Sequence, residues 1–462
     1  MHRASGDKET MLATNEILVV AMLLSFITIL FTGIPVAWAL AGVSIAFSFI
    51  AIYGYEVYFW DTYFLTDTRI FGVIVQRIWG QMSNWILVAL PMFIFMGLML
   101  ERSGVTEKLM ANFIQLFGRF RGGLALGVVL IGILLAASTG IVGASVVLLA
   151  LLSMPIMLEQ GYNKGFASGV VASAGTLGIL IPPSIMLIIM ADQMSVSVGN
   201  LFMGALIPGL MLGGFYILYI MIAATLFRKL APAPTDLPPV SAKLIFDTLL
   251  AVVPPILLIF AVLGSIFFGF ATPTEASGVG AFGATLLAAA NGRLSWAVLK
   301  DVGMKTTLTT AFIFGIFMGA TMFAVVMRQL GGDEFISQSL QGLPFGPNGV
   351  VITILFIAFL AGFFLDWLEI SLIMLPLVSP VVVALGFDQI WFIVLFAVTL
   401  QTSFLTPPVG FSLFYLKGVA PREVTIMDIY KGVIPFVLLQ VLAVAVVFLI
   451  PQLVLWLPAQ ML

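Results

Sequence analysis

Two Pro-Pro steps, Pro182-Pro183 and Pro407-Pro408, interrupt long apolar runs and lie 225 positions apart. Gly161-Tyr162 and Gly386-Phe387 keep that spacing, as do Pro155 and Pro380. Proline lacks the N–H that a helix interior needs and disfavours helix in the residue before it, so each pair breaks the helix that contains it. The two halves of the chain therefore carry a broken helix at the same place. In a membrane protein, matched interruptions in two halves point to a transport site.

Composition sets the class. Of 462 residues, 61% are hydrophobic and only 9% charged, against about a quarter charged in a soluble domain. The chain is expected to be an all-α polytopic membrane protein. It has no Cys, and its one His, His2, sits in a polar tail. Disulfides, thiolate or His-metal sites and a Ser/His triad are thereby excluded. A net charge of -2 gives no footprint for nucleic acid.

Read in order, 1–15 is a polar tail, with Met11 a possible second start. Apolar spans over 17–53 are joined at Gly33-Ile-Pro35. Ala37-Trp-Ala39 imitates a signal-peptidase site, but the apolar pattern resumes at once as a second span. Residues 54–82 mix charge with aromatics and suit an interfacial helix. Trp85–Leu100 spans, and a charged connector follows. Residues 122–158 are apolar but cut by Ala136-Ala-Ser-Thr-Gly-Ile-Val-Gly-Ala-Ser145, which fits a re-entrant hairpin with a small polar tip. The broken helix 165–190 and a span at about 200–227 complete a first repeat, 16–230. A Pro-rich linker, 231–243, separates it from a second repeat, 244–462. There the spans 244–290 mirror 17–53, and a connector with Arg293, Lys300 and Lys305 leads to a span at about 307–327. A second hairpin, 349–385, a second broken helix, 389–415, and a span at 433–457 follow.

With hairpins that do not cross, each half has an odd number of crossings, so the repeats are inverted. An outside N-terminus places 14 of the 19 Lys and Arg on the cytoplasmic side, leaving only Arg3, Lys8, Arg69, Arg77 and Arg328 outside. The positive-inside rule favours that orientation.

A broken helix leaves backbone N–H and C=O groups unpaired within the bilayer, each costly unless protein, ion or water supplies a partner. Half-helix N-termini suit an anion and unwound carbonyls suit Na⁺. Candidate oxygens are Ser138, Thr139, Gly140 and Ser145 at the first tip, with Thr176 and Ser184 beside Pro182-Pro183. Their counterparts are Gly362, Asp366, Glu369 and Ser371 at the second tip, with Gln401, Thr402 and Thr406 beside Pro407-Pro408. Close helix packing alone would explain any single Gly or Ser, but not two Pro-Pro steps in register. Asp366 and Glu369 read equally as a cation or proton site and as a capping box opening the second arm. Thr272-Pro-Thr-Glu275 reads as a helix start. The expected membrane core holds no Lys or Arg, so a substrate carboxylate must find its positive field in backbone dipoles, hydroxyls or co-bound Na⁺.

Ala271-Thr-Pro-Thr-Glu-Ala276, Gly161-Tyr-Asn-Lys-Gly165 running into Gly178-Ile-Leu-Ile-Pro-Pro-Ser184, and Phe364-Leu-Asp366 together resemble the large membrane subunit of tripartite ATP-independent periplasmic (TRAP) transporters. The resemblance covers nearly the whole chain. It implies an elevator-type secondary transporter in the bacterial inner membrane, driven by a Na⁺ gradient. It also implies a small four-helix membrane subunit, a soluble periplasmic binding protein and an organic acid substrate. Na⁺ sites are implied where each hairpin tip meets its broken helix. That places Ser138, Gly140, Ser145, Thr176, Gly362, Asp366, Thr402 and Thr406 as cation ligands, partly through backbone. Ser138, Thr139, Thr176, Ser184, Ser371, Gln401 and Thr402 are placed against substrate. Asp366-Trp-Leu-Glu369 departs from the usual family pattern, in which small or hydroxyl residues follow the Asp. A one-component Na⁺- or H⁺-coupled carboxylate carrier is the alternative, and an intramembrane enzyme using Asp366 and Glu369 is a third reading.

Overall fold

Among the described residues, the first half of the chain holds ten α-helices: α1 Thr14–Leu30, α2 Val36–Tyr58, α3 Arg69–Met82, α4 Ala89–Arg102, α5 Val105–Phe117, α6 Gly123–Thr139, α7 Val142–Glu159, α8 Lys164–Thr176, α9 Ile185–Gln193 and α10 Val198–Leu226. Ten more follow: α11 Ala242–Phe267, α12 Pro273–Ala290, α13 Trp296–Gln329, α14 Gly332–Gln341, α15 Gly346–Ala361, α16 Trp367–Ala384, α17 Gln389–Leu405, α18 Phe411–Val419, α19 Ile426–Leu449 and α20 Gln452–Met461. This computed structural model describes residues 12–118, 120–139, 142–232 and 241–461, with the backbone alone for 136–139. Among the described residues, eight helices are long and apolar enough to cross a membrane. Among the described residues the fold is all-α, with the long apolar helices of a multi-pass membrane protein.

The two halves start their helices with the same local chemistry. Before α8, Gly161 turns the chain at φ +78° and Asn163 caps the helix, accepting from the Phe166 N–H at 3.1 Å. Before α17, Gly386 turns it at φ +79° and Asp388 accepts from the Ile390 and Trp391 N–H groups at 2.8 and 3.0 Å. Gly104 and Gly331, at φ +74° and +81°, are themselves the residues that open α5 and α14, without a side-chain cap. Only glycine adopts that left-handed region without a Cβ penalty. Thr272 and Glu275 close a reciprocal capping box at the start of α12, with Pro273 in the first turn, as its sequence predicts.

The expected interruptions appear close to their predicted places. The 122–158 run divides between α6 and α7, and the 349–385 run between α15 and α16. The 165–190 segment breaks after α8 into one 3-10 turn, Leu177–Ile179, before α9 resumes. The 389–415 segment breaks between α17 and α18. Both Pro-Pro peptide bonds are cis. Most of the expected linker, 233–240, lies outside the described residues.

Several expectations needed revision. The charged connector after residue 100 folds as the amphipathic helix α5, which buries Leu109, Met110 and Phe113. The span expected at 307–327 begins at Trp296, because nothing between 296 and 307 breaks a helix. Lys300 and Lys305 therefore lie on a helix, and Asp301 pairs with both Arg102 and Lys305 at 2.7 and 3.1 Å. The last apolar run ends at Leu449 and restarts at Gln452, since Pro451 removes an N–H there. In the 54–82 segment, α2 continues to Tyr58 and the next helix begins only at Arg69.

The chain forms two compact units. One holds residues up to Asn84, Phe312–Val350 and Leu372–Leu385. The other holds Trp85–Ala311, Val351–Ser371 and Gly386–Leu462. In the first, α1 packs on α2, and Gly319 lets its helix approach the Ala37 backbone. In the second, α8 packs on α7 and α19, and α4 on α12. Gly169 and Gly432 make the α8–α19 approach possible: a Cβ on Gly169 would collide with the Gly432 backbone, and one on Gly432 with that of Gly165. Both broken helices and both run interruptions belong to this second unit.

Candidate functional site

The two Pro-Pro breaks free backbone carbonyls, and nearby hydroxyls satisfy them. Ser184 Oγ donates to the Ile179 carbonyl at 2.8 Å across the first break. Ser412 Oγ donates to the Phe404 carbonyl at 2.6 Å across the second, and the Tyr430 hydroxyl donates to the Pro408 carbonyl. The breaks are thus held by side chains rather than left open.

The broken helices meet each other. Gln401 Nε2 on α17 donates to Thr176 Oγ1 at the end of α8, at 3.2 Å, and both residues are fully buried. Thr176 Oγ1 in turn donates to the Ser173 carbonyl at 2.8 Å. Thr402 and Thr406 donate back to the Val398 and Thr402 carbonyls at 2.8 and 2.6 Å. Ser371 does the same to the Trp367 carbonyl at 2.6 Å. Each such hydroxyl has spent its proton within its own helix and keeps oxygen lone pairs, which suits a cation or a donor and not an oxyanion.

The interruptions of the apolar runs rest on these helices through glycine. Gly132 of α6 lies against Ala174, and Val146 of α7 against Gly175. Between α15 and α16, Gly362 lies against Ser403 of α17. The side chains of Ser138 and Thr139, and all of Gly140, fall outside the described residues. Ser145 is buried on α7.

Glu369 is the only charged side chain among the buried described residues, at 4% exposure. Its Oε2 is buried without a partner. Asp366 accepts from the Trp367 N–H at 2.8 Å. Asp366 thus bonds only the first N–H of α16, and one Glu369 carboxylate oxygen stays without a partner. None of the ion pairs among the described residues involves either. The ring of Tyr415 on α18 sits over Gly143, where a Cβ would lie 3.0 to 3.2 Å from ring carbons.

The structure therefore brings Thr176 to Gln401, and Gly362 to the residue after Thr402. Ser184, Ser371, Thr402 and Thr406 instead bond within their own segments. Sequence reasoning missed Ser412, Tyr415 and the buried pair in which Gln440 Nε2 on α19 donates to the Tyr216 hydroxyl on α10 at 2.8 Å. A lone Gln in the apolar run at 440 was a usable signal; the tyrosines and Ser412 carried none.

Residues 23–453 match the family described as tripartite ATP-independent periplasmic transporter, DctM component. The chain is 31% identical over 397 residues to the C4-dicarboxylate TRAP transporter large permease protein DctM of Vibrio cholerae serotype O1, covering 81% of this chain and 86% of that one. It is 26% identical over 440 residues to the sialic acid TRAP transporter large permease protein SiaM of the same organism, covering 95% and 98%. In fold it is similar to the Alcanivorax borkumensis YdaH transporter, with a TM-score of 0.60 at 14% identity over 83% of this chain and 88% of that one.

Proposed function

The chain belongs to the DctM family of TRAP transporter large permeases, and from that premise we propose that it imports an organic acid by Na⁺-coupled secondary transport. It takes the acid from a soluble periplasmic binding protein and works beside a small four-helix membrane subunit. The relatives' names include a C4-dicarboxylate and sialic acid, both acids. No Lys or Arg is buried among the described residues, so an acid entering this interior meets no resident cation. Co-bound Na⁺ supplies that charge, and its ligands are the proton-spent hydroxyls and carbonyls around the two breaks.

The carrying observation is the contact between Thr176 and Gln401, which are themselves 225 positions apart. A residue that touches its own equivalent in the other half lies on the axis relating the halves. That supports two inverted repeats, 16–230 and 244–462, with the substrate and ion sites beside the axis and the hairpins moving by an elevator motion. Asp366, Gly362, Thr402 and Thr406 serve one Na⁺ site; Ser138, Gly140, Ser145 and Thr176 serve the other. Ser138, Thr139, Thr176, Ser184, Ser371, Gln401 and Thr402 face the substrate.

The test is uptake into liposomes. Radiolabelled acid should accumulate only with an inward Na⁺ gradient, the small subunit and the loaded binding protein together. Robust accumulation by this chain alone would favour the one-component carrier and overturn the proposal.

A further inference from the structure

Three helices of the second unit enclose a cavity of about 530 Å³. Each lines it with residues three or four apart, the spacing of one helix face: Lys108 and Asn112 on α5, Asp247 and Leu250 on α11, Leu287 and Asn291 on α12. The last turn of α12 thus lies beside the first turns of α11. The basic segments that the positive-inside count assigns to the cytoplasm gather here. Lys108 Nζ donates to Asn291 Oδ1 at 2.7 Å, Arg293 lies against Gly104, and Arg102 pairs with Asp301. On that orientation the polar rim lies at the cytoplasmic headgroup level, and Leu250 and Leu287 lie toward the hydrocarbon. The side wall faces lipid: α11 is the least buried of the eight candidate spans, and Phe246, Leu250 and Leu257 along it are exposed.

The rim carries one charge of each sign, and the two do not neutralise each other. Neither Lys108 nor Asp247 belongs to an ion pair among the described residues. Lys108 keeps two N–H donors beyond the one given to Asn291, and Asn291, having accepted through Oδ1, keeps its amide nitrogen as a donor. These groups suit a phosphate. Asp247 is an acceptor. Pro254 and Pro255 have no N–H, so the carbonyls of Leu250 and Ala251, four residues before them on the same cavity-lining stretch, lack their usual helical donors. Those acceptors suit an ammonium that has protons to give.

We propose that this cavity binds the headgroup of an ethanolamine phospholipid from the cytoplasmic leaflet. Its phosphate sits on Lys108 and Asn291, its primary ammonium on Asp247, and its glycerol and acyl chains run past Leu287 into the bilayer. A phosphatidylglycerol headgroup brings no cation and leaves Asp247 facing a phosphate alone. A phosphatidylcholine headgroup brings a cation with no N–H to donate. The site is separate from the broken helices and stands whether or not transport is coupled to Na⁺.

The experiment is native mass spectrometry of the full chain in detergent, titrated separately with dioleoyl phosphatidylethanolamine, phosphatidylglycerol and phosphatidylcholine. The ethanolamine lipid should bind about fivefold more tightly than either other, the weight of one hydrogen bond. Asp247→Asn should erase that preference, Asp247→Lys should turn it toward phosphatidylglycerol, and Lys108→Gln should weaken all three lipids. Both side chains are exposed, so melting temperatures in lipid-free detergent should stay at the unmodified value. Equal binding of the three lipids, or an ethanolamine preference that survives Asp247→Asn, overturns the proposal. Loss of the bound lipid when the small membrane subunit is present also overturns it, because protein would then be what covers this cavity.

Discussion

Gly362→Ala is a direct probe of how the second interrupted run rests on the broken helix. Glycine is not needed there for conformation, since its φ lies outside the left-handed region. It is needed for space. A Cβ at 362 would overlap Ser403 Oγ and lie 2.8 Å from Ser403 Cβ. Ser403 is fully buried, and its Oγ donates to the Leu400 carbonyl at 2.7 Å. Overpacking of this kind costs about 1–3 kcal/mol, and displacing the hydroxyl adds about 1 kcal/mol for its hydrogen bond. The stiffer unfolded chain returns about 0.4–1 kcal/mol. The net is about 2 kcal/mol against the packed arrangement, or about thirtyfold in its population. In liposomes this should appear as slowed uptake with raised half-saturating Na⁺, alongside a lower melting temperature in detergent. The rescue is specific: Gly362→Ala with Ser403→Gly should recover, whereas Ser403→Ala should not, because the Cβ contact persists. Wild-type melting and Na⁺ dependence in Gly362→Ala would show that the run does not rest on Ser403 during transport.

Other outcomes follow from the same geometry. Asp366→Asn should raise half-saturating Na⁺ if the carboxylate serves the cation; unchanged Na⁺ dependence with a lowered melting temperature would leave only its role at the start of α16. Glu369→Gln should raise the melting temperature in Na⁺-free detergent by removing an uncompensated buried charge, and a fall would mean that charge has a partner. Gly432→Ala should destabilise the α8–α19 contact by about 1–3 kcal/mol, read as lost folded protein by size exclusion. Thr272→Ala should cost about 1 kcal/mol of stability and leave transport rates unchanged, since Thr272 caps α12 on an exposed turn.

Much of this fold was legible because its signals are local. Gly-Tyr-Asn before α8 and Gly-Phe-Asp before α17 carry their own turn and cap, and the Pro pairs carry their own breaks. The amphipathic α5 was harder to see, as its charged residues read as a connector until its buried face had something to pack on. The long α13 was underestimated because hydropathy marks where a helix enters lipid, not where it begins. The candidate oxygens were legible as a set, but their assignments were not. Thr176 gives its proton to the Ser173 carbonyl and accepts from Gln401, 225 positions away, a pairing that no local pattern displays.

The contact between Thr176 and Gln401 also speaks to ancestry. Under the inverted-repeat reading, a single-repeat ancestor would have paired with a second copy of itself, and the residue on the axis would have faced its own twin. Such a position must be self-complementary, able to give and accept against an identical partner. On the same reading, fusion of the two copies into one chain would lift that requirement. The position could divide its labour, one side becoming a hydroxyl acceptor and the other an amide donor with an oxygen to spare. On that reading, asymmetry at the axis is open to a fused pair and closed to a pair of identical chains.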